Sequence, residues 1–312
     1  MLSNKNENPI FLNFRNDLSM NPWILAIRPK TLPAAVAPVI IGTAMAFGDG
    51  LFHGPSALMA LSAALCIQIG TNLANDYFDF KKGADTADRK GPIRVTQAGL
   101  IKPQMVLIAS IVFFILAALS SVYLIHRAGT WILLIAVASI VSGIFYTAGP
   151  KPLGYLGLGD LFVFIFFGPV AVGGTYFTQA LEINWSVIVA GLAPGFLSMA
   201  ILVINNLRDI DTDRRAGKLT LAVRFGKSFA VSEYLFCIIA ATLTPYAVYL
   251  ITDDHQGMAV ASLVGFCAIP CIKGVFKYLD DGAGLNLVLG HTARLLLIYS
   301  GLISLGWVFC SR

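Results

Sequence analysis

Two acidic stretches of this chain predict both its fold and its site. NLANDYFDFKKGAD occupies residues 72–85 (the first acidic stretch), and NNLRDIDTDRRAGK occupies residues 205–218 (the second acidic stretch). Each begins with asparagine, carries three aspartates and follows a long apolar segment. An apolar chain that brings this much negative charge to a membrane edge needs positive charge beside it, so the stretches indicate a charged site at one end of a helical bundle.

The composition is that of a membrane protein that crosses the bilayer several times. Of the 312 residues, 57% are hydrophobic and only 12% are charged, a balance outside the range of soluble globular domains. The net charge is +5, but the basic residues lie between apolar segments. They are therefore interpreted as topology signals and phosphate ligands, and no nucleic-acid partner is predicted.

Nine apolar segments are long enough to be candidate transmembrane helices. They are residues 22–47, 55–79, 103–125, 129–148, 157–179, 185–207, 228–252, 256–276 and 290–310. Backbone groups in lipid must be satisfied within the segment, and the alternation of a β-barrel is absent. The sequence predicts an all-α, polytopic membrane bundle of about nine helices, with residues 1–20 a polar cytoplasmic tail and residues 21–312 a single transmembrane domain.

The distribution of Lys and Arg predicts the orientation. With the N-terminus in the cytoplasm, 20 of the 22 basic residues fall on the cytoplasmic side, and only Arg127 and Arg312 fall outside. This bias is the one that the positive-inside rule describes. Both acidic stretches then lie at a cytoplasmic mouth, the C-terminus lies outside, and a bacterial cytoplasmic (inner) membrane is the simplest location.

Helical spacing turns the acidic stretches into rows of oxygen ligands, because residues four apart share a helix face. The rows are Asn75 with Asp79 (adjoined by Asp76), and Asn205 with Asp209 and Asp213. Facing rows of carboxylate and amide oxygens suit Mg²⁺, which takes one or two carboxylates together with waters and substrate phosphate. The plainer alternative is a pair of solvated helix ends.

Basic residues near both rows suggest that the bound group is a diphosphate. The candidates are Arg89, Arg94, Lys151, Arg208, Arg214 and Lys218. No P-loop or dinucleotide motif is present. An apolar helical bundle suits a lipid diphosphate better than a nucleotide. Lys151 could instead be a solvated loop residue. Tyr146 could stabilise an allylic cation through its ring face or be an ordinary interfacial tyrosine.

Several pieces, in order and at the right spacing, carry a resemblance over most of the chain. They are residues 28–33, 72–85, 91–99, 146–155 and 205–222. The chain resembles the intramembrane aromatic prenyltransferase superfamily, whose members share a nine-helix fold, and within it the enzymes that prenylate 1,4-dihydroxy-2-naphthoate in menaquinone biosynthesis. The resemblance implies transfer of a polyprenyl chain from polyprenyl diphosphate, within membrane lipid, to 1,4-dihydroxy-2-naphthoate with loss of CO₂.

The resemblance also implies roles for individual residues. It implies Mg²⁺ binding by Asn75, Asp79, Asp209 and Asp213, with Asp76 and Asn205 in support. Gly83 stands where the wider superfamily has an acid, so Asp85 is the candidate substitute. Asp79, Asp209, Asp213 and Lys151 are the candidate catalytic residues. Alternatives are a sister enzyme for 4-hydroxybenzoate or homogentisate, a transporter with an acidic cation site, and a scaffold that binds lipid diphosphates.

Overall fold

The structure is a computed structural model that describes residues 21–84, 91–252 and 256–309. Every regular element in these ranges is helical, and none of the described residues forms a strand. The helices are α1 (Pro22–Ile27), α2 (Pro33–Gly48), α3 (Gly54–Lys81), α4 (Pro103–Ala128), α5 (Thr130–Phe145), α6 (Gly159–Phe166), α7 (Pro169–Ala180), α8 (Trp185–Ala190), α9 (Leu192–Arg208), α10 (Ile210–Arg215), α11 (Leu221–Phe225), α12 (Lys227–Thr252), α13 (Val264–Lys277) and α14 (Gly282–Phe309).

The predicted all-helical membrane bundle is confirmed, but the count of nine spans is not. Within the described ranges, seven spans are long and apolar enough to cross a membrane, or eight if the bent pair of α1 and α2 is one span. Helix α5 is apolar but has 16 residues, so it measures about 24 Å against a hydrocarbon layer of about 30 Å. The protein is an integral membrane protein.

The first predicted segment, residues 22–47, is wrong as a single helix. The chain bends by 51° between Pro22–Thr31 and Pro33–Gly48. Arg28 ends α1 with a left-handed backbone, φ 54°, and Pro29 and Pro33 supply no N–H donors. The break turns the chain at the start of the bundle and places Arg28 beside α3.

Other elements also differ from the predicted segments. Segment 185–207 is divided into α8 and α9, and the α-helix within segment 256–276 begins at Val264. The segment 157–179 is interrupted between α6 and α7 at Gly168, where a Cβ would lie 2.7 Å from the Gly191 carbonyl oxygen. Helix α14 begins at Gly282 rather than near residue 290, because the Asp281 carboxylate accepts the Ala283 N–H at 3.0 Å and caps it.

The last helix packs on the first long one, and together they close the bundle. Asp49, after α2, accepts from the Tyr176 hydroxyl at 2.6 Å and from Trp307 Nε1 at 2.9 Å. Arg127 donates to two carbonyl oxygens at the end of α7, each at 3.0 Å. These contacts lie at the end of the bundle where α3 begins, whereas the first acidic stretch lies where α3 ends.

Candidate active site

Both acidic stretches open onto one cavity of about 310 Å³. At its charged mouth lie Arg28, Asn75, Asp79, Asn205 and Lys218. The deeper walls are largely apolar, and they include Ile67, Leu124, Ile132, Phe162, Phe166 and Val170. A cavity with a charged mouth and an apolar body fits an amphiphile with an anionic head and a hydrocarbon tail.

The first half of the site is built on one unbroken helix. Because α3 continues to Lys81, Asn75 and Asp79 lie one turn apart on the face that lines the cavity. The Asp79 carboxylate is buried; Oδ1 accepts from the Tyr155 hydroxyl at 3.0 Å, and Oδ2 lies 3.5 Å from an Arg94 nitrogen. The Asn75 side-chain oxygen accepts from the Thr147 hydroxyl.

Asp76 has a different position from its neighbours. Its side chain is buried and accepts the Thr96 backbone N–H at 3.2 Å, and it is not among the described residues that line the cavity. It therefore fastens the segment that carries Arg94 to α3. Asp85 and Arg89 lie outside the described residues.

The second half of the site is organised by Arg208. Helix α9 ends there, and Asp209 interrupts the helix with φ −94° and ψ 8°. The Arg208 guanidinium donates to both Asp209 carboxylate oxygens at 2.8 and 2.6 Å, to Asn205 Oδ1 at 2.7 Å and to Asn286 Oδ1 at 2.7 Å. Arg208 was predicted to bind diphosphate and Asp209 to bind metal; in the structure they bind each other, and Asn205 is the member of this row that lines the cavity.

Of the remaining predicted site residues, one is buried beside the cavity and two are exposed. Asp213 is buried, and its Oδ1 lies 3.6 Å from Nζ of the cavity-lining Lys218. Arg214 is exposed and donates to the Val223 carbonyl at 3.5 Å. Lys151 is exposed, and it is not one of the described residues that line the cavity.

Tyr146 lines the cavity between two glycines. A Cβ at Gly159 would lie 2.9 Å from the Tyr146 hydroxyl oxygen, and one at Gly154 would lie 3.1 Å from a ring carbon, so a side chain at either position would displace the ring. Burial raises the pKa of the Tyr146 phenol above its ordinary value; Asp160, Asp213 and Asp79 add to the rise, and Arg28 opposes it. The ring therefore presents a neutral phenol to the cavity.

Several contributors were not among the predicted site residues, and three of them are Tyr155, Lys82 and Asn286. Tyr155 lies in the fourth quoted piece of the resemblance, but nothing in the sequence pairs it with Asp79. Lys82 donates to the Thr147 carbonyl at 2.6 Å and to the Gly149 carbonyl at 3.2 Å, and burial lowers its pKa while Asp79 acts against that change. Asn286 contacts the Arg208 guanidinium. The sequence shows Lys82 as a basic residue of the first acidic stretch, but nothing in it identifies the distant carbonyl groups that this lysine reaches.

The oxygen ligands fit a magnesium ion that is shared with a substrate. Among the described residues, no three His, Cys, Asp or Glu side chains gather closely enough to hold a metal by themselves. The cavity instead offers amide and carboxylate oxygens from Asn75, Asp79 and Asn205, with Asp213 behind Lys218. Mg²⁺ accepts few protein ligands and completes its shell with water and phosphate oxygens, which is the donor set available here.

The fold and cavity thus define a membrane-embedded protein with a site for an anionic amphiphile. Residues 35–286 match the UbiA prenyltransferase family, and the chain belongs to that family. It is 42% identical to 1,4-dihydroxy-2-naphthoate octaprenyltransferase of Mycobacterium tuberculosis over 90% of this chain and 95% of the relative. It is 41% identical to the enzyme of that name from Escherichia coli over 75% of this chain and 78% of the relative.

A solved structure shares the fold. The UbiA homologue of Archaeoglobus fulgidus bound to GPP and Mg²⁺ superposes with a TM-score of 0.61 and 16% identity, over 91% of this chain and all of that one. The family and the relatives show that this protein is a prenyltransferase.

Proposed function

We propose that this protein transfers a polyprenyl chain from polyprenyl diphosphate to 1,4-dihydroxy-2-naphthoate with decarboxylation, giving demethylmenaquinol and diphosphate. The observation that carries the proposal is the single cavity in which both acidic stretches meet at the mouth of an apolar channel. The naphthoate octaprenyltransferases that resemble the chain at 41–42% identity support the choice of acceptor.

The diphosphate end of the substrate lies at the charged mouth. Asn75, Asp79, Asn205 and Asp213 would hold Mg²⁺, with Asp76 and Asp209 behind them and Asp85 as a further candidate ligand. When bound, Mg²⁺ neutralises the diphosphate and makes it a better leaving group. Arg28, Arg94 and Lys218 supply positive charge at the mouth, and Lys151, Arg89, Arg208 and Arg214 are the further basic candidates for diphosphate binding.

The reaction is a substitution at the first carbon of the prenyl chain. The bond from this carbon to the diphosphate oxygen breaks, and the electron pair leaves with diphosphate. The ring carbon that carries the carboxylate forms the new carbon–carbon bond. CO₂ then leaves, and the electrons of its bond to the ring restore aromaticity. Tyr146 presents its neutral ring to the developing allylic cation, and the apolar walls keep water away from it.

The membrane placement follows from charge. The Lys and Arg distribution favours a mouth on the cytoplasmic side, an N-terminus in the cytoplasm and a C-terminus outside. A bacterial inner membrane is the proposed location. The prenyl tail enters from the surrounding lipid, so no protein partner is needed.

The test uses the purified full-length protein in detergent with MgCl₂, polyprenyl diphosphate and a panel of acceptors. The panel contains 1,4-dihydroxy-2-naphthoate labelled with ¹³C at the carboxyl group, 4-hydroxybenzoate and homogentisate. We expect a prenylated naphthalene-diol and ¹³CO₂ by mass spectrometry. Product only with another acceptor would replace the naphthoate assignment, and no product with any acceptor of the panel would overturn the proposed reaction.

A further inference from the structure

Tyr155 contacts residues of both acidic stretches. It ends the short 3₁₀ turn Leu153–Tyr155 and lines the cavity. Its hydroxyl donates to Asp79 Oδ1 at 3.0 Å, and its carbonyl accepts the Leu219 N–H at 3.0 Å. A hydrogen bond from the side chain thus holds the first half of the site, and one to the backbone holds the chain immediately after the second.

The Tyr155 ring also lies near two lysines, one from each stretch. Nζ of Lys82 lies 4.6 Å from the ring centroid, and Nζ of Lys218 lies 5.9 Å from it. Both distances are within the reach of a cation–π interaction. Lys218 lines the cavity and lies 3.6 Å from Asp213, so the ring helps to set where this ammonium stands at the mouth.

The neighbouring contacts hold Tyr155 in place. Arg224 donates to the Leu156 carbonyl at 2.9 Å and to the Leu219 carbonyl at 3.0 Å, which ties the two segments together next to the tyrosine. Gly157 adopts φ +74°, and a Cβ there would lie 2.8 Å from the Leu219 carbonyl oxygen. The segment therefore passes too close to Leu219, which directly follows the second stretch, for any other residue at position 157.

We propose that Tyr155 is a positioning residue that couples the two halves of the site, an inference that rests on the proposed function. Its hydroxyl occupies one lone pair of Asp79 Oδ1 and so fixes which carboxylate orientation faces the cavity. Its ring attracts the Lys82 and Lys218 ammonium groups through cation–π interactions and so helps to direct Lys218 to the anionic head of the substrate. Partners of this kind behind a metal ligand change metal affinity by about 10- to 100-fold.

The test compares Tyr155→Phe, which removes only the hydroxyl, with Tyr155→Leu, which also removes the aromatic face. Tyr278→Phe is the matched control, because the Tyr278 ring also lies under a lysine, Lys277, at 5.0 Å, and Tyr278 is not among the described cavity-lining residues. The readout is the thermal stabilisation of each full-length protein in detergent by Mg²⁺ with inorganic diphosphate, followed by kcat and KM.

For Tyr155→Phe we expect the Mg²⁺ concentration for half-maximal stabilisation to rise about tenfold and kcat to fall, while the melting temperature without ligands falls by only a few degrees. For Tyr155→Leu the affinity for diphosphate should fall as well, while Tyr278→Phe should match the wild type. Wild-type Mg²⁺ and diphosphate binding in Tyr155→Phe would overturn the coupling role and leave the proposed function standing. Failure of the wild type to bind Mg²⁺ with diphosphate would overturn both.

Discussion

The pair formed by Arg208 and Asp209 gives the sharpest prediction about stability. The Arg208 side chain is 1% exposed and the Asp209 side chain 3%. The Arg208 guanidinium donates four hydrogen bonds, with donor–acceptor distances of 2.6–2.8 Å. Removing one partner of a buried ion pair costs about 3–5 kcal/mol, because the other charge stays buried, whereas an apolar pair of similar volume is nearly neutral.

Arg208→Met should therefore lower the free energy of unfolding by about 3–5 kcal/mol, and the double variant Arg208→Met/Asp209→Leu should recover most of that loss. Neither variant should transfer prenyl groups at the wild-type rate, because Asn205 loses the donor that orients it. Arg224→Met is the matched control: this exposed arginine donates to backbone carbonyls only in its described hydrogen bonds, so its loss should cost about 1 kcal/mol.

The assay is equilibrium unfolding of each purified variant in mixed micelles, monitored by circular dichroism. Two results would refute the reasoning. One is an Arg208→Met variant that is no less stable than Arg224→Met. The other is a double variant that is no more stable than Arg208→Met alone. Either result would mean that the buried ion pair does not govern the stability of the second half of the site.

Three further predictions concern the chemistry. Asp79→Ala should abolish Mg²⁺-dependent prenyl transfer, and full activity in this variant, measured by product formation, would contradict its role. Chelation with EDTA should stop turnover of the wild type, and added MgCl₂ should restore it; turnover that persists in EDTA would argue against a metal. Gly159→Ala should displace Tyr146 and cost about 1–3 kcal/mol from overpacking with a fall in kcat, whereas Gly301→Ala, where a Cβ meets nothing within 4 Å, should leave both unchanged.

The apolar segments predicted the membrane bundle well because the hydrocarbon layer fixes both the length and the helical state of a spanning segment. The errors lie where local backbone chemistry overrides hydropathy. Residues 28–33 contain two prolines and two basic residues, which signal a break, yet the predicted segment 22–47 runs through them because apolar residues lie on both sides. At position 282 the cap by Asp281 decides where α14 begins, and hydropathy carries no information about caps.

The sequence predicted the rows of oxygen-bearing side chains in the site, but not which side chains bind each other. Asn75 and Asp79 lie as helical spacing requires, because α3 is continuous through both. Arg208 and Asp209 are adjacent in sequence, and adjacent residues do not face each other on a helix. Their ion pair exists because the helix ends between them. Tyr155 reaches Asp79 across a loop whose path depends on contacts with residues far along the chain, so no spacing rule identifies it.

The contacts at Asp49 have a consequence for biosynthesis. The Asp49 carboxylate accepts hydrogen bonds from Tyr176 and Trp307. Both donors are synthesised long after Asp49, and Trp307 lies in α14. Until that helix is inserted, the face of α2 that packs against α14 has only lipid beside it. Chains truncated before α14 should therefore remain open bundles and be degraded by membrane proteases, because the contact between Trp307 and Asp49 cannot form.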